Sequence, residues 1–239
     1  MSGHSKWATI KHKKGKEDAK RGKVFTKISK ELTVAAREGG GDPAGNARLR
    51  LVMEKAKEAN MPGENVTRAI KKGTGELEGT HYEASTYEAY APFGIAVMVE
   101  TLSDNKNRTV SDLRHTFTKF GGSLAENGAV AWMFDRFGVI TALAQDISED
   151  SLIEALMDYD IENVEYHDDM VIVTCNPSHL EVVKKACTQV GLKVESAEVA
   201  WVAKNAVTLE DKEHEEKVYK LLEMLDELED VQNVYASLG

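Results

Sequence analysis

Cysteine and long apolar runs are both scarce in this chain of 239 residues, and each shortage removes a class of protein. The only two cysteines, Cys175 and Cys187, belong to no Cys-x-x-Cys and have no histidine pair beside them. That argues against a disulfide framework and a zinc site, and leaves two reduced, buried thiols. The basic N-terminus lacks the roughly 7 to 15 apolar residues of a secretory signal, and no later stretch approaches the roughly 18 of a membrane span. The chain therefore reads as cytosolic, with no membrane partner. Catalytic signatures are missing as well: there is no Gly-x-x-x-x-Gly-Lys-Ser/Thr, no Gly-x-Ser-x-Gly and no His-Glu-x-x-His. The best remaining enzymatic grouping would join the polar stretch Asp104–Thr109 to His115 and Glu100 for acid–base or phosphoryl chemistry, and nothing else supports it. The expectation is a non-enzyme without cofactor or metal.

What the chain does have is an uneven charge. The net charge of -10 would by itself argue against a nucleic-acid partner. Residues 1–75, however, hold 18 Lys and Arg against 8 Asp and Glu, and residues 76–239 hold 12 against 32. A head at +10 and a body at -20 have different tasks.

Residues 1–22 are rich in Lys and Gly and too poor in apolar side chains to order themselves, so they read as a basic arm. From Lys23 to Glu38, Val24, Phe25, Ile28, Leu32, Ala35 and Ala36 fall on one arc of a helix, and Lys20, Lys23, Lys27, Lys30 and Arg37 on another. Asp42-Pro43 supplies an N-cap and first-turn proline for a second helix, which Met61-Pro62 ends. A third helix from Pro62 to Lys72 stops at Gly73, completing a three-helix module over 23–78.

The apolar period then changes from helix to strand. Tyr82–Tyr90 and Ile95–Thr101 read as strands around Ala91-Pro92-Phe93-Gly94, Thr109–Phe120 as a helix, and the alternating Val130, Trp132 and Phe134 as another strand. Residues 135–203 spell strand–helix–strand–strand–helix–strand, a ferredoxin-like βαββαβ unit, with Ser178 and Glu181 spaced as a capping box. A last acidic helix and strand near 210–236 have no sheet of their own. Their simplest host is the incomplete β-β-α-β unit, which gives a discontinuous α/β domain over 79–134 and 204–239 with the βαββαβ unit inserted. The fold class expected is α+β in three domains.

The candidate nucleic-acid contacts follow the charge. In the arm they are Lys6, Trp7, Lys11, Lys13, Lys14, Lys16, Lys20 and Arg21, with Trp7 available to stack on a base. On the first helix they are Lys23, Lys27, Lys30 and Arg37; on the third, Arg68, Lys71 and Lys72, with Arg48 and Arg50 of the same sign between them. A second group, Asn105, Lys106, Asn107 and Arg108, lies at a helix start, where free N–H groups and two cations suit a phosphate. Simple capping by Asp104 or Asn105 accounts for part of that group.

Met1-Ser2-Gly3-His4-Ser5-Lys6-Trp7, Asp18-Ala19-Lys20-Arg21-Gly22-Lys23, Asn60-Met61-Pro62 leading to Arg68-Ala69-Ile70-Lys71-Lys72, and Asp104 to Thr109 together resemble the YebC/PmpR family, over the whole length. One departure is Tyr87-Glu88-Ala89-Tyr90-Ala91-Pro92, where the family tends to have Gly for both alanines. The resemblance implies three domains and two roles: DNA-binding transcriptional regulation, or RNA and ribosome binding. The second is suggested by a mitochondrial relative that activates translation of cytochrome c oxidase, and by members that look like factors aiding synthesis through proline-rich stretches. The sequence contains no recognisable helix-turn-helix or zinc finger to read a major groove.

Overall fold

The computed structural model describes residues 18–143, 147–167 and 169–239, with side chains from residue 21 onward except that of Glu149. Helix α1 runs Asp18–Gly39, so the end of the expected arm is helical. Helices α2 (Ala47–Glu58) and α3 (Gly63–Thr74) pack against it around Ile28, Leu32, Ala35, Leu49, Val52, Ala56 and Ala69.

Two helix ends differ from the sequence expectation. The N-cap of α2 is Asn46, whose Oδ1 accepts the Leu49 N–H at 3.0 Å while its Nδ2 donates to the Ala35 and Gly40 carbonyls, each at 2.8 Å. Asp42 instead takes the Ala44 N–H in the preceding turn. Helix α3 continues through Gly73 and ends at Gly75, which is left-handed at φ 83°. Gly73 is present for contact, because a Cβ there would collide with the Thr33 carbonyl oxygen and lie 2.8 Å from the Ala36 Cβ. The two helices cross backbone to backbone.

The middle domain is an antiparallel sheet of β1 (Glu83–Tyr90), β2 (Ala96–Ser103), the two-residue β3 (Ser123–Leu124) and β8 (Val231–Ala236), in the order β3-β1-β2-β8. Helices α4 (Lys106–Phe120) and α7 (Lys212–Asp226) cover one face, burying Val97, Val99, Leu113, Phe117, Leu221 and Leu225. Ala89 and Ala91, at the two positions where the family tends to have glycine, are buried with their methyls in this core. The orphan helix and strand do complete this sheet, since β8 pairs with β2 from Val97↔Ala236 to Thr101↔Val231.

Inserted between them is the βαββαβ unit: β4 (Phe134–Leu143), α5 (Glu149–Leu156), β5 (Ile161–His167), β6 (Met170–Cys175), α6 (Leu180–Gln189) and β7 (Lys193–Ala203). Its antiparallel sheet has the order β5-β6-β4-β7, and both cysteines are buried in its core. Ala96, Met98 and Tyr235 of the middle sheet meet Val139, Ile172 and Ala200 of the inserted one, so the two domains share an apolar seam.

Two local expectations fail here. Val130, Trp132 and Phe134 do not form a strand, because Ala131–Met133 is a 3-10 turn and β4 begins only at Phe134. The cause is Glu88, whose buried carboxylate draws in the N–H groups of Gly128, Val130 and Ala131 at 2.6, 2.6 and 2.8 Å. Burial pushes the Glu88 pKa up, but these three donors outweigh it and leave it below the ordinary range. Nor does Ser178–Glu181 form a capping box: Asn176 accepts the Ser178 N–H, and α6 starts only at Leu180 without a side-chain cap.

Candidate nucleic-acid interface

The centre of the molecule's charge layout is Asp230, the residue just before β8, which is only 5% exposed. Its carboxylate accepts Lys30 Nζ at 2.9 Å, Arg108 Nη2 at 2.8 Å, the Ser103 hydroxyl at 3.0 Å and the Thr109 hydroxyl at 2.9 Å. Burial would raise its pKa; the bonds from Lys30, Arg108 and Thr109 prevail and hold it at about 2. Five residues from α1, β2, α4 and the α7–β8 connection are thereby joined.

Part of the expected basic stripe on α1, Lys27 and Lys30, is therefore engaged within the protein, whereas the Lys23 side chain is 57% exposed. Lys30 is buried between Asp230 and Glu229, and Lys27 Nζ donates to the Asp226 carbonyl at 2.6 Å and to its carboxylate at 3.3 Å. Lys23 reaches Glu227 at 3.8 Å, and Arg37 donates to the Tyr82 carbonyl at 2.6 Å. The acidic end of α7 lies along the lysines of α1, so this stripe docks the helical domain on the middle domain. Helical periodicity marked these lysines as off the apolar arc, and they are; a second arc of α1 is buried by polar contact instead.

The polar loop is likewise largely engaged. Asn105 Oδ1 accepts the Arg108 N–H and caps α4, which is the plainer of the two sequence readings. Arg108 bonds Asp104 as well as Asp230. Lys106 remains 57% exposed at its side chain, pairing with Glu83 at 2.6 Å, and Asn107 is exposed beside it. They line a groove with His81, Glu83, Asp104 and Asn105.

Three exposed cations lie together on α3. Arg68, Lys71 and Lys72 are all exposed, and their i, i+3, i+4 spacing puts them on one face opposite Ala69 and Gly73, which pack on α1. The segment after α3 folds back against it, with the Leu77 N–H on the Lys71 carbonyl, and leads through Tyr82 to the Lys106 groove. Arg48 pairs with Glu38 and Arg50 bonds the Pro43 carbonyl; both are exposed. Arg21 is exposed near the start of α1. Lys6, Trp7, Lys11, Lys13, Lys14 and Lys16 lie outside the described residues, as does the side chain of Lys20. The enzymatic grouping comes apart: Glu100 is held by Trp201 Nε1, Asn233 and Tyr235 at the seam between the sheets, whereas His115 is exposed on α4, across the sheet.

Neither Asp230 nor Glu88 is among the residues the charge pattern of the sequence singles out. The run Glu227–Asp230, facing nothing basic nearby in the sequence, was the available signal for the first; Glu88, a carboxylate on a buried strand end, gave none.

A three-domain α+β protein with a cationic helical head locked to an acidic two-sheet body is what the fold and this layout define. Its sequence matches the model of the TACO1/YebC protein N-terminal domain over residues 5–76 and that of the TACO1/YebC second and third domain over 82–238. The chain belongs to the TACO1/YebC family. Relatives include a "probable transcriptional regulatory protein" of Desulfosudis oleivorans, 51% identical over 99% of this chain and 96% of the relative. Another of the same name, from Leptospira biflexa, is 50% identical over 98% and 95%. The crystal structure of a conserved hypothetical protein from Aquifex aeolicus, 46% identical, matches with a TM-score of 0.89 over 98% of this chain and 96% of that one.

Proposed function

We propose that this protein is a non-catalytic regulator of gene expression that binds nucleic acid through the exposed face of α3, assisted by the lysines of its N-terminal arm. The observation that carries this reading is the set Arg68, Lys71 and Lys72, three cations on one helical face of a protein whose net charge is -10. Phosphate contacts of this kind release counterions and supply affinity without reading sequence. The name borne by the relatives, probable transcriptional regulatory protein, favours a transcriptional role, for which duplex DNA is the natural target. An RNA or ribosomal target has a structural observation behind it: the Lys106–Asn107 groove on a second domain continues the α3 surface by way of Tyr82, which suits a folded, irregular RNA.

Reversing Arg68, Lys71 and Lys72 to Glu should weaken binding to duplex DNA and to ribosomal RNA. It should also flatten the log–log salt dependence by about 0.7 to 0.9 for each phosphate no longer neutralised. The fold should persist, since all three face solvent. Unchanged affinity in the folded triple variant rules the interface out. The two targets separate in a gentle lysate: sedimentation with ribosomes supports RNA, and an operator preferred over random duplex by roughly a thousandfold supports transcription.

A further inference from the structure

At the far end of β1 the chain exposes aromatic rings that no core requires. Phe93, in the turn between β1 and β2, is 42% exposed and sits at φ 64°, ψ 21°, the left-handed region that a bulky residue rarely adopts. Glycine would adopt that conformation without strain. The strained backbone holds the Phe93 ring against His214 of α7, with centroids 3.8 Å apart and planes 18° from parallel. Lys217, one turn further along α7, places its Nζ 5.9 Å from the Phe93 centroid.

Three residues before Phe93, Tyr90 ends β1 and is 37% exposed, and Trp132 beside it is 68% exposed. The Tyr90 hydroxyl and Trp132 Nε1 converge on the Ala129 carbonyl at 3.2 and 3.0 Å, which fixes both rings. The loop carrying that carbonyl is itself pinned by Glu88 through the three N–H groups described above. These rings are thus preorganised: their polar atoms are satisfied and their faces are left to solvent.

We infer that Phe93, with His214 behind it, and the Tyr90–Trp132 pair form a stacking site for unpaired bases of single-stranded RNA. This deepens the nucleic-acid reading above and rests on it. Flat rings whose hydrogen-bonding atoms are already occupied offer π faces, and every base has one to match. A protein interface also uses aromatic anchors, but sets them within a contiguous apolar patch. The exposed Val24, Leu77, Ile153, Met157, Val182 and Met224 belong instead to α1, the segment after α3, the α5 region, α6 and α7. Asp211 lies 3.7 Å from His214, so phosphate attraction here is weak. The site suits bases of a strand whose backbone is gripped elsewhere.

The test uses the full chain, a labelled oligouridylate of about ten nucleotides and a duplex of similar length. The variants are Phe93→Gly, which removes the ring and relaxes the turn, and Trp132→Ala, which removes an exposed side chain. Each should weaken oligouridylate binding by about tenfold, within the range for one stacked base, and leave duplex binding within about twofold. Equal weakening on both ligands, or on neither, overturns the stacking site while the α3 interface stands. A wild-type protein that binds the duplex but not the single strand does the same. Binding to neither overturns both readings.

Discussion

At the scale of single residues, the docking of the helical domain on the middle domain centres on a carboxylate, Asp230. Asp230 carries two cations and two hydroxyls at 2.8 to 3.0 Å, and its pKa falls from 3.8 to about 2. A depressed folded-state pKa means stability present above about pH 4 and lost as pH falls towards 2. The drop corresponds to about 2 kcal/mol. Asp230→Asn keeps the shape and removes the charge, so its deficit against wild type should be full at neutral pH and shrink below about pH 4, measured by denaturant midpoints across that range. A constant deficit would assign the residue's role to packing alone. The acidic run marks the residue in the sequence but not its partners, because neither Lys30 nor Arg108 lies within a hundred positions of it; only the folded chain brings them together.

At the scale of elements, periodicity located the helices and strands well and their ends poorly. The three N-terminal helices, the inserted sheet and three of the four strands of the middle sheet are legible in the spacing of apolar residues, because burial on one face imposes that spacing; the two-residue β3 is too short to show one. Ends depend on who satisfies the loose backbone groups, and the sequence offers several candidates. Asn46 displaced Asp42, and Gly75 displaced Gly73. Gly73 shows why: its Cα lies against α1, so the absence of a side chain, rather than freedom of φ, is what the fold uses. Gly73→Ala should destabilise by roughly 1 to 3 kcal/mol through overpacking at the α1–α3 crossing. The control Gly63→Ala, with nothing within 4 Å of its new Cβ, should be neutral or slightly stabilising, read from the same denaturant curves.

At the scale of the whole molecule, the helical domain touches both of the others. Lys27 and Lys30 tie α1 to the α7–β8 connection, and Lys184 of α6 reaches Glu54 of α2 at 2.6 Å. The first set is buried and the second half-exposed, so the Asp230 cluster is the stronger tie. Lys30→Glu would set a second carboxylate against Asp230, at a cost of about 3 to 5 kcal/mol. The helical core around Leu32 and Leu49 should persist while the domain swings away, giving a larger radius of gyration in X-ray scattering with amide resonances still dispersed. An unchanged radius would show that apolar contacts alone hold the domains.

The sequence by itself determined the class of fold, the three-part division and the separation of basic head from acidic body, since each follows from the local spacing of side chains and a count of charges. Which cations face solvent was decided only in three dimensions. On a helical wheel Lys30 and Lys71 look alike, yet Lys30 is 4% exposed against an aspartate two hundred residues away and Lys71 lies open on α3. A charge pattern fixes sign and periodicity along one helix. Whether a carboxylate from a distant strand or a phosphate from outside completes it depends on how the domains dock.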